Sequence, residues 1–310
     1  MPKGRRMIVI RDGSPHPAAI KGCVLALGNF DGLHLGHQAV IGRARELAQK
    51  HGVPLAVMTF EPHPRRVFKP ELPPLRILPL REKIRLLSKM GVEYLRIVRF
   101  SKRFAQTTAE DFVTHMLHQE LGVSHVVTGD DFTFGHNREG NAAYLQSLAS
   151  KLGFAAVACA QLDVGGERCS STRIRDVLAA GDVAGAAKLL GWPYALSGPV
   201  RHGDKRGQVL GFATANILPP PIFLPKLGIY AVRVHVAGKP VKGVASLGVR
   251  PNYPLQKPLL EVHLLDWQGD LYGQKLDVEF VQYLRPEQKF DSEEALKTQM
   301  AQDCAQARKV

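Results

Sequence analysis

Short apolar runs alternate with stretches of helical spacing along the first half of the chain. The runs Met7–Ile10, Val24–Leu27, Leu55–Phe60, Leu95–Phe100, His125–Thr128 and Ala155–Ala160 read as strands. Between them Val40, Ala44 and Leu47 recur at helical spacing, with Gly52 as the stop. Leu80, Ile84 and Leu87 do the same, as do Phe112, Met116 and Leu117, the latter group opened by Thr107 and Glu110 as a capping box. This alternation predicts a parallel, doubly wound α/β sheet, whose ligands bind beyond the carboxyl ends of its strands near a switch point.

Gly181-Asp182 separates two short helical patterns, and Leu190-Gly191-Trp192-Pro193 marks the exit from the second. Beyond it the period changes to two. Ile229–Val236, Leu259–Leu265 and Leu276–Leu284 read as half-buried strands, with turns at Gly238 and Gly269-Asp270. Asp291 and Glu294 cap a last helix that carries Leu296, Met300, Cys304 and Ala307 on one face. The expectation is an antiparallel β-barrel closed by a C-terminal helix, with domains over 1–188 and 189–310.

Composition narrows the class. The 310 residues suffice for two cores, and 45% hydrophobic with 22% charged residues is ordinary for a globular protein. No apolar run approaches the roughly 18 residues that span a bilayer, and the N-terminal apolar run is too short for a secretory signal. Cys23, Cys159, Cys169 and Cys304 are scattered without a CxxC pair, as expected of free thiols in a reducing cytoplasm. The net charge of +13 is concentrated: Arg65 to Arg103 holds twelve Lys/Arg against three Glu. No aromatics interleave with that charge and no nucleic-acid-binding motif accompanies it. A basic field attracts anionic nucleotides equally well, and a solvated helical face is the plainest reading of all.

The stretch Val24–Val40, VLALGNFDGLHLGHQAV, is the most pointed chemically. A buried strand runs into a turn marked by Gly28, Gly32 and Gly36, then into a helix whose first N–H groups are free for an anion. His34 and His37, three apart, can share one phosphate; as a plainer alternative they cap the helix. Dinucleotide-binding GxGxxG and Walker GKS/T patterns are absent. Two loops follow strands. Thr59-Phe60-Glu61-Pro62-His63-Pro64 is stiffened by prolines, and Thr128–Gly135 sets Phe132 and Phe134 beside Asp131 for stacking on a planar ring. Ser170-Ser171-Thr172-Arg173-Ile174-Arg175 opens a helix with hydroxyls and adds cationic reach. In the second half, Gly198–Ile217 holds a charged turn and then Thr214 and Asn216, whose oxygens suit Mg²⁺; an ordinary hairpin explains the same residues.

GNFDGLHLGH resembles the HxGH signature of nucleotidyltransferases, in the GxFDGxHxGH form of bacterial bifunctional riboflavin kinase/FAD synthetases. The Thr59–Pro64 loop, the GxDFxFG-like loop at Gly129–Gly135 and the SSTxIR-like segment at Ser170–Arg175 follow in that family's order. Gly198–Asn216 is similar to its riboflavin kinase signature, and Gly228–Ala231, Glu261–His263, Asp270–Gly273 and Arg285-Pro286 extend the match. The resemblance implies two reactions: ATP phosphorylates riboflavin to FMN in the barrel, and ATP adenylylates FMN to FAD in the first domain. It assigns catalysis to His34, His37 and Glu261, and ATP binding in the first domain to Gly28, Asn29, Phe30, Ser171, Thr172 and Arg175. Flavin falls to His63, Asp131, Phe132 and Phe134. Kinase ATP and Mg²⁺ fall to Gly203, Lys205, Gly211, Thr214 and Asn216, the last two as metal ligands. Its partners are riboflavin, FMN and ATP, not nucleic acid or membrane. Two positions depart from the pattern: Ala213 stands for the usual Pro and Asn252 for the usual Thr. They leave open a single-activity adenylyltransferase whose kinase domain is impaired; a basic nucleic-acid-binding protein is the alternative from another class.

Overall fold

The computed structural model describes residues 7–202, 212–249 and 258–310; Gly203, Lys205, Gly211 and Asn252 lie outside the described residues. By compactness the chain divides into Met1–Ser171 and Thr172–Val310.

In the first unit the chain runs β1 (Ile8–Arg11), β2 (Val24–Leu27), α1 (Leu35–His51), β3 (Leu55–Glu61), α2 (Pro64–Phe68), α3 (Leu80–Lys89) and β4 (Tyr94–Arg99). It continues with α4 over 109–120, β5 (His125–Gly129), the short pair β6 (Thr133–Phe134) and β7 (Gly140–Asn141), α5 (Ala142–Leu152) and β8 (Ala155–Cys159). A last short pair is β9 (Asp163–Val164) with β10 (Glu167–Arg168). The main sheet is ordered β1-β4-β3-β2-β5-β8, and its pairings are parallel. From β2 the chain winds one way through β3 and β4, then returns to β5 on the other side. The switch point therefore lies between the carboxyl ends of β2 and β5. All of β2 is buried, as is β3 up to Phe60, which is why these strands read as continuous apolar runs.

One cap differs from expectation. Thr107 already closes a 3-10 turn by donating its N–H to Phe104 O at 3.0 Å. Thr108 caps α4 instead, its Oγ1 accepting from Asp111 N at 3.0 Å. The carboxylate that reaches back is Glu139, not Glu110: its Oε1 accepts from Ala109 N at 2.7 Å. From Phe112 to Glu120 the helix widens to a π-helix.

The second unit holds most of α6 (Ser171–Ala180), then α7 (Val183–Leu190) and strands β11 (Ala195–Arg201), β12 (Thr214–Ile217), β13 (Gly228–Val236), β14 (Lys239–Val249), β15 (Pro258–Leu264) and β16 (Lys275–Arg285). These strands close a barrel in the order β11-β12-β15-β14-β13-β16, its ladders antiparallel. The long β14 escapes the alternation rule because Lys239, Pro240, Lys242 and two glycines dilute it. At Gly243 a Cβ would lie 2.7 Å from the His263 carbonyl, so the strands approach too closely there for a side chain. The C-terminal helix α8 (Glu293–Arg308) buries Cys304 and Ala307 as expected, but Ser292 caps it rather than Asp291, accepting from Ala295 N at 3.1 Å. Arg285 fastens α8 to the barrel by paired bonds of 2.9 and 2.7 Å to buried Asp303. All four cysteines are free, and no helix among the described residues is long and apolar enough to cross a membrane.

Candidate active site

Between β2 and α1 the chain makes a turn that a generic sequence would not adopt. Phe30 and Leu33, neither of them glycine, have φ of 48° and 44°. Such backbone costs on the order of 1–3 kcal/mol per residue and persists only where the surroundings enforce it. Here they do. Thr59 Oγ1 and Lys83 Nζ both donate to the Asn29 carbonyl, each at 2.9 Å. Asp31 Oδ1 accepts from Ile77 N at 2.9 Å, and its carbonyl accepts from Ser171 Oγ at 2.9 Å. Gln38 Nε2 donates to Leu33 O at 3.0 Å. Phe30 is buried beneath the turn, its ring edge-on to His37 with centroids 5.3 Å apart. At Gly28 a Cβ would come within 3.3 Å of that same ring.

His34 is both cap and partner. It precedes α1 in extended geometry, and its Nδ1 accepts the His37 N–H at 3.4 Å. An accepting Nδ1 puts the proton on Nε2, which is thereby a donor. The His34 and His37 rings stack with centroids 3.6 Å apart and planes 24° from parallel. Gly36 makes room for this: a Cβ there would stand 3.1 Å from His34 Cε1 and 3.6 Å from the Cys169 carbonyl. The His34 pKa is lowered to about 4, by burial first and Arg168 second, with Asp131 opposing. His37 is held well below the ordinary value by burial, then by His34 and Lys83. Both imidazoles are therefore neutral at pH 7. The buried His37 Nδ1 has no hydrogen-bond partner among the described residues, a cost of about 1–3 kcal/mol that native proteins tolerate mainly at working sites.

The loops beyond β3 and β5 flank this turn. His63 caps α2, its Nδ1 accepting from Arg65 N at 3.2 Å. Asp131 forms an ion pair with Arg168, and these are the two charges felt by His34. Phe132 and Phe134 stack with centroids 5.5 Å apart. Phe134 is itself buried against Phe112, which touches Phe60 and Phe104, so an aromatic wall joins the ends of β3 and β5. Four residues here gain a place in the site that the sequence motifs do not give them: Lys83, Glu61, Arg76 and Arg168. Lys83 Nζ lies 3.5 Å from Glu61 Oε1, and Glu61 is also paired with Arg76. Of this set Lys83 carried a signal, because it falls on the apolar stripe Leu80, Ile84, Leu87 of α3. Of the Ser171–Arg175 segment, Ser171 bonds to the turn as stated; Thr172 is exposed and Arg175 half-buried on α6.

In the barrel, Thr214 and Asn216 are two apart on β12 and share a face. Glu261 pairs directly with Asn216, and His263 with Thr214, so all four side chains project from one side. Ala215, Val262 and Ala245 form the buried opposite side. Asn216 is buried, and its Oδ1 has no hydrogen-bond partner among the described residues. An orphaned amide oxygen beside a hydroxyl is a hard-donor pair that fits Mg²⁺. No cluster of three or more His, Cys, Asp or Glu among the described residues could hold a metal by itself. His263 Nδ1 donates to the Ala213 carbonyl at 2.9 Å, tying down the position where proline is replaced.

Comparison with known proteins covers both halves of the chain. Residues 16–173 match the FAD synthetase family and residues 190–310 the riboflavin kinase family. The bifunctional riboflavin kinase/FMN adenylyltransferase of Escherichia coli K12 is 44% identical over 93% of this chain and 92% of its own length. That of Bacillus subtilis is 38% identical over 92% and 91%. A crystal structure described as a macrolide-efflux protein from Streptococcus pneumoniae superposes with a TM-score of 0.87 at 32% identity, covering 97% of this chain and 99% of that one. With both family matches in the order of the two folds, and relatives this close over nearly the whole length, the chain belongs to the bifunctional riboflavin kinase/FMN adenylyltransferases.

Proposed function

We propose that the barrel phosphorylates riboflavin to FMN with ATP and that the α/β unit adenylylates FMN to FAD, releasing pyrophosphate. The observation that carries the second step is the pair of neutral, stacked imidazoles at the N-terminus of α1, beside the switch point. An FMN phosphate oxygen attacks the α-phosphorus of ATP, and the bond from that phosphorus to the β-phosphate bridge breaks. The nucleophile is already anionic, so no base is needed. Electrostatic stabilisation and positioning supply the rate. His34, donating from Nε2–H, and His37 stacked on it stabilise the charge that grows at the α-phosphate, and Gly28, Asn29, Phe30 and the first N–H groups of α1 receive phosphate. Ser171, Thr172 and Arg175 hold the departing pyrophosphate. The aromatic wall with Phe132, together with His63, receives the flavin, while Asp131 works through Arg168.

In the barrel the nucleophile is a hydroxyl, whose proton must leave as its oxygen bonds to the γ-phosphorus. Glu261 is the base. Thr214 and Asn216 would hold Mg²⁺, which when bound would draw charge from the phosphates of ATP. The anchored Ala213 supports an intact kinase strand despite the missing proline. Four free thiols support a place in a reducing cytoplasm. The test is incubation with riboflavin, ATP and Mg²⁺, then chromatography. Both FMN and FAD should form; FAD from supplied FMN but no FMN from riboflavin selects a single-activity transferase. Salt-sensitive DNA or RNA binding with no flavin turnover would overturn the reading altogether.

A further inference from the structure

We propose that Lys83 is a positioning residue for adenylyl transfer: its buried ammonium, bonded to the Asn29 carbonyl, holds the turn that carries His34 and His37. This rests on the adenylyl reading of the α/β unit. Lys83 is 2% exposed, at a position of α3 where an aliphatic residue would complete the stripe. An ammonium has three protons, and three oxygens surround this one. They are Asn29 O at 2.9 Å, Thr59 Oγ1 at 3.3 Å and Glu61 Oε1 at 3.5 Å. Thr59 Oγ1 donates to the same Asn29 carbonyl, so β3 and α3 grip one atom of the turn from two sides. Phe30, in left-handed backbone, follows immediately. Removing the ammonium alone leaves Glu61 paired with Arg76 only, and breaking a buried ion pair from one side costs stability, so rate and stability are read separately in the test. Burial lowers the Lys83 pKa, with Glu61 and Asp31 opposing. A charge held against that pressure, on the backbone just ahead of the reacting histidines, sets where their donors stand.

The test compares the full chain with Lys83→Met, Lys83→Gln and Thr59→Val. Melting temperature and riboflavin phosphorylation are measured on each sample, along with kcat and KM for FAD formation. Lys83→Met should lower that kcat by about 100-fold, the scale of a misplacement near 1 Å, with KM for ATP and FMN nearly unchanged. Its riboflavin phosphorylation should match the parent, while its melting temperature falls because Glu61 keeps only Arg76. Lys83→Gln, which keeps a donor, should regain part of the rate although Met fills the volume better, and Thr59→Val should show a smaller loss. Undiminished kcat in Lys83→Met, or losses in Met and Gln that simply follow melting temperature, would overturn the role. Should Lys83→Met fail to fold, Thr59→Val decides, and full kcat there overturns it. No FAD from the parent chain would bring down the adenylyl reading and this role together.

Discussion

His37 makes no ion pair and accepts from nothing at Nδ1 among the described residues, yet it packs half-buried against His34 and Phe30. A side chain with so little structural return is the one whose loss should register in rate. His37→Ala should cut FAD formation from supplied FMN by about 100–1,000-fold, as for one lost transition-state donor, and leave FMN formation from riboflavin intact. Assaying both reactions on one sample checks this, and loss of both would indicate misfolding instead. His34 offers a second handle, in pH. Its imidazole titrates near 4 in the folded chain against 6.5 for the ordinary group. Between those values the unfolded chain takes up the proton and the folded one does not. Its contribution is complete above pH 6.5 and is lost as pH falls towards 4, by about 3 kcal/mol. Calorimetry from pH 7 to 4 should show this fall, flattened in His34→Gln. The histidine pair was legible in the sequence because three-residue spacing on a helix is local information. The Arg76–Glu61–Lys83 network was not, since its members come from β3, the following loop and α3 and meet only through tertiary packing. What remained visible was one lysine on an apolar stripe.

The helix α1 contains two glycines doing opposite things. Gly36 leaves the space that the His34 ring occupies, while a methyl group added at Gly42 would meet nothing within 4 Å. Gly36→Ala should therefore push the imidazole by a few tenths of an ångström and lower FAD formation by about 10- to 100-fold. Gly42→Ala should leave the rate alone and raise stability by about 0.5–1 kcal/mol, by removing a flexible residue from a helix interior. Steady-state assay and thermal melting of the two variants separate these effects, and a Gly42→Ala rate loss would mean that α1 matters as more than a mount. The same local logic explains which elements could be read in advance. The continuous runs of the parallel sheet and the alternating β15 and β16 announce themselves because each strand's burial follows its period, whereas β13, expected half-buried, is buried continuously from Gly228 to Val232 because α8 covers its other face at Ala231. Caps shifted by one residue at Thr108 and Ser292, where neighbouring hydroxyl and acidic residues compete for the same N–H and only the final backbone angles choose. Strand β14 stayed hidden since Gly243 answers to the closeness of β15 and Gly248 to the Glu287 side chain, facts no single strand contains.

For the whole molecule, two reaction types demand two different sites. Adenylyl transfer starts from a phosphate that is already ionised, and the α/β unit holds two stacked imidazoles at the N-terminus of α1. Phosphoryl transfer starts from a protonated hydroxyl, and the barrel sets a carboxylate, Glu261, opposite the hard oxygens of Thr214 and Asn216. The net charge of +13 favours capture of the anionic substrate that the steps share. If FMN leaves one site into solvent before entering the other, the two activities need not reside on one chain. Glu261→Ala alone should make no FMN from riboflavin yet adenylylate supplied FMN at the parental rate, and His37→Ala alone should accumulate FMN. Mixed in equal amounts with riboflavin, ATP and Mg²⁺, they should together form FAD after a lag in which FMN builds up. The lag should shorten as the Glu261→Ala partner is increased, because that partner then consumes FMN faster. FMN that stays bound to the His37→Ala chain with no FAD formed, while the Glu261→Ala chain still accepts FMN supplied free, would show that the intermediate does not pass through solution.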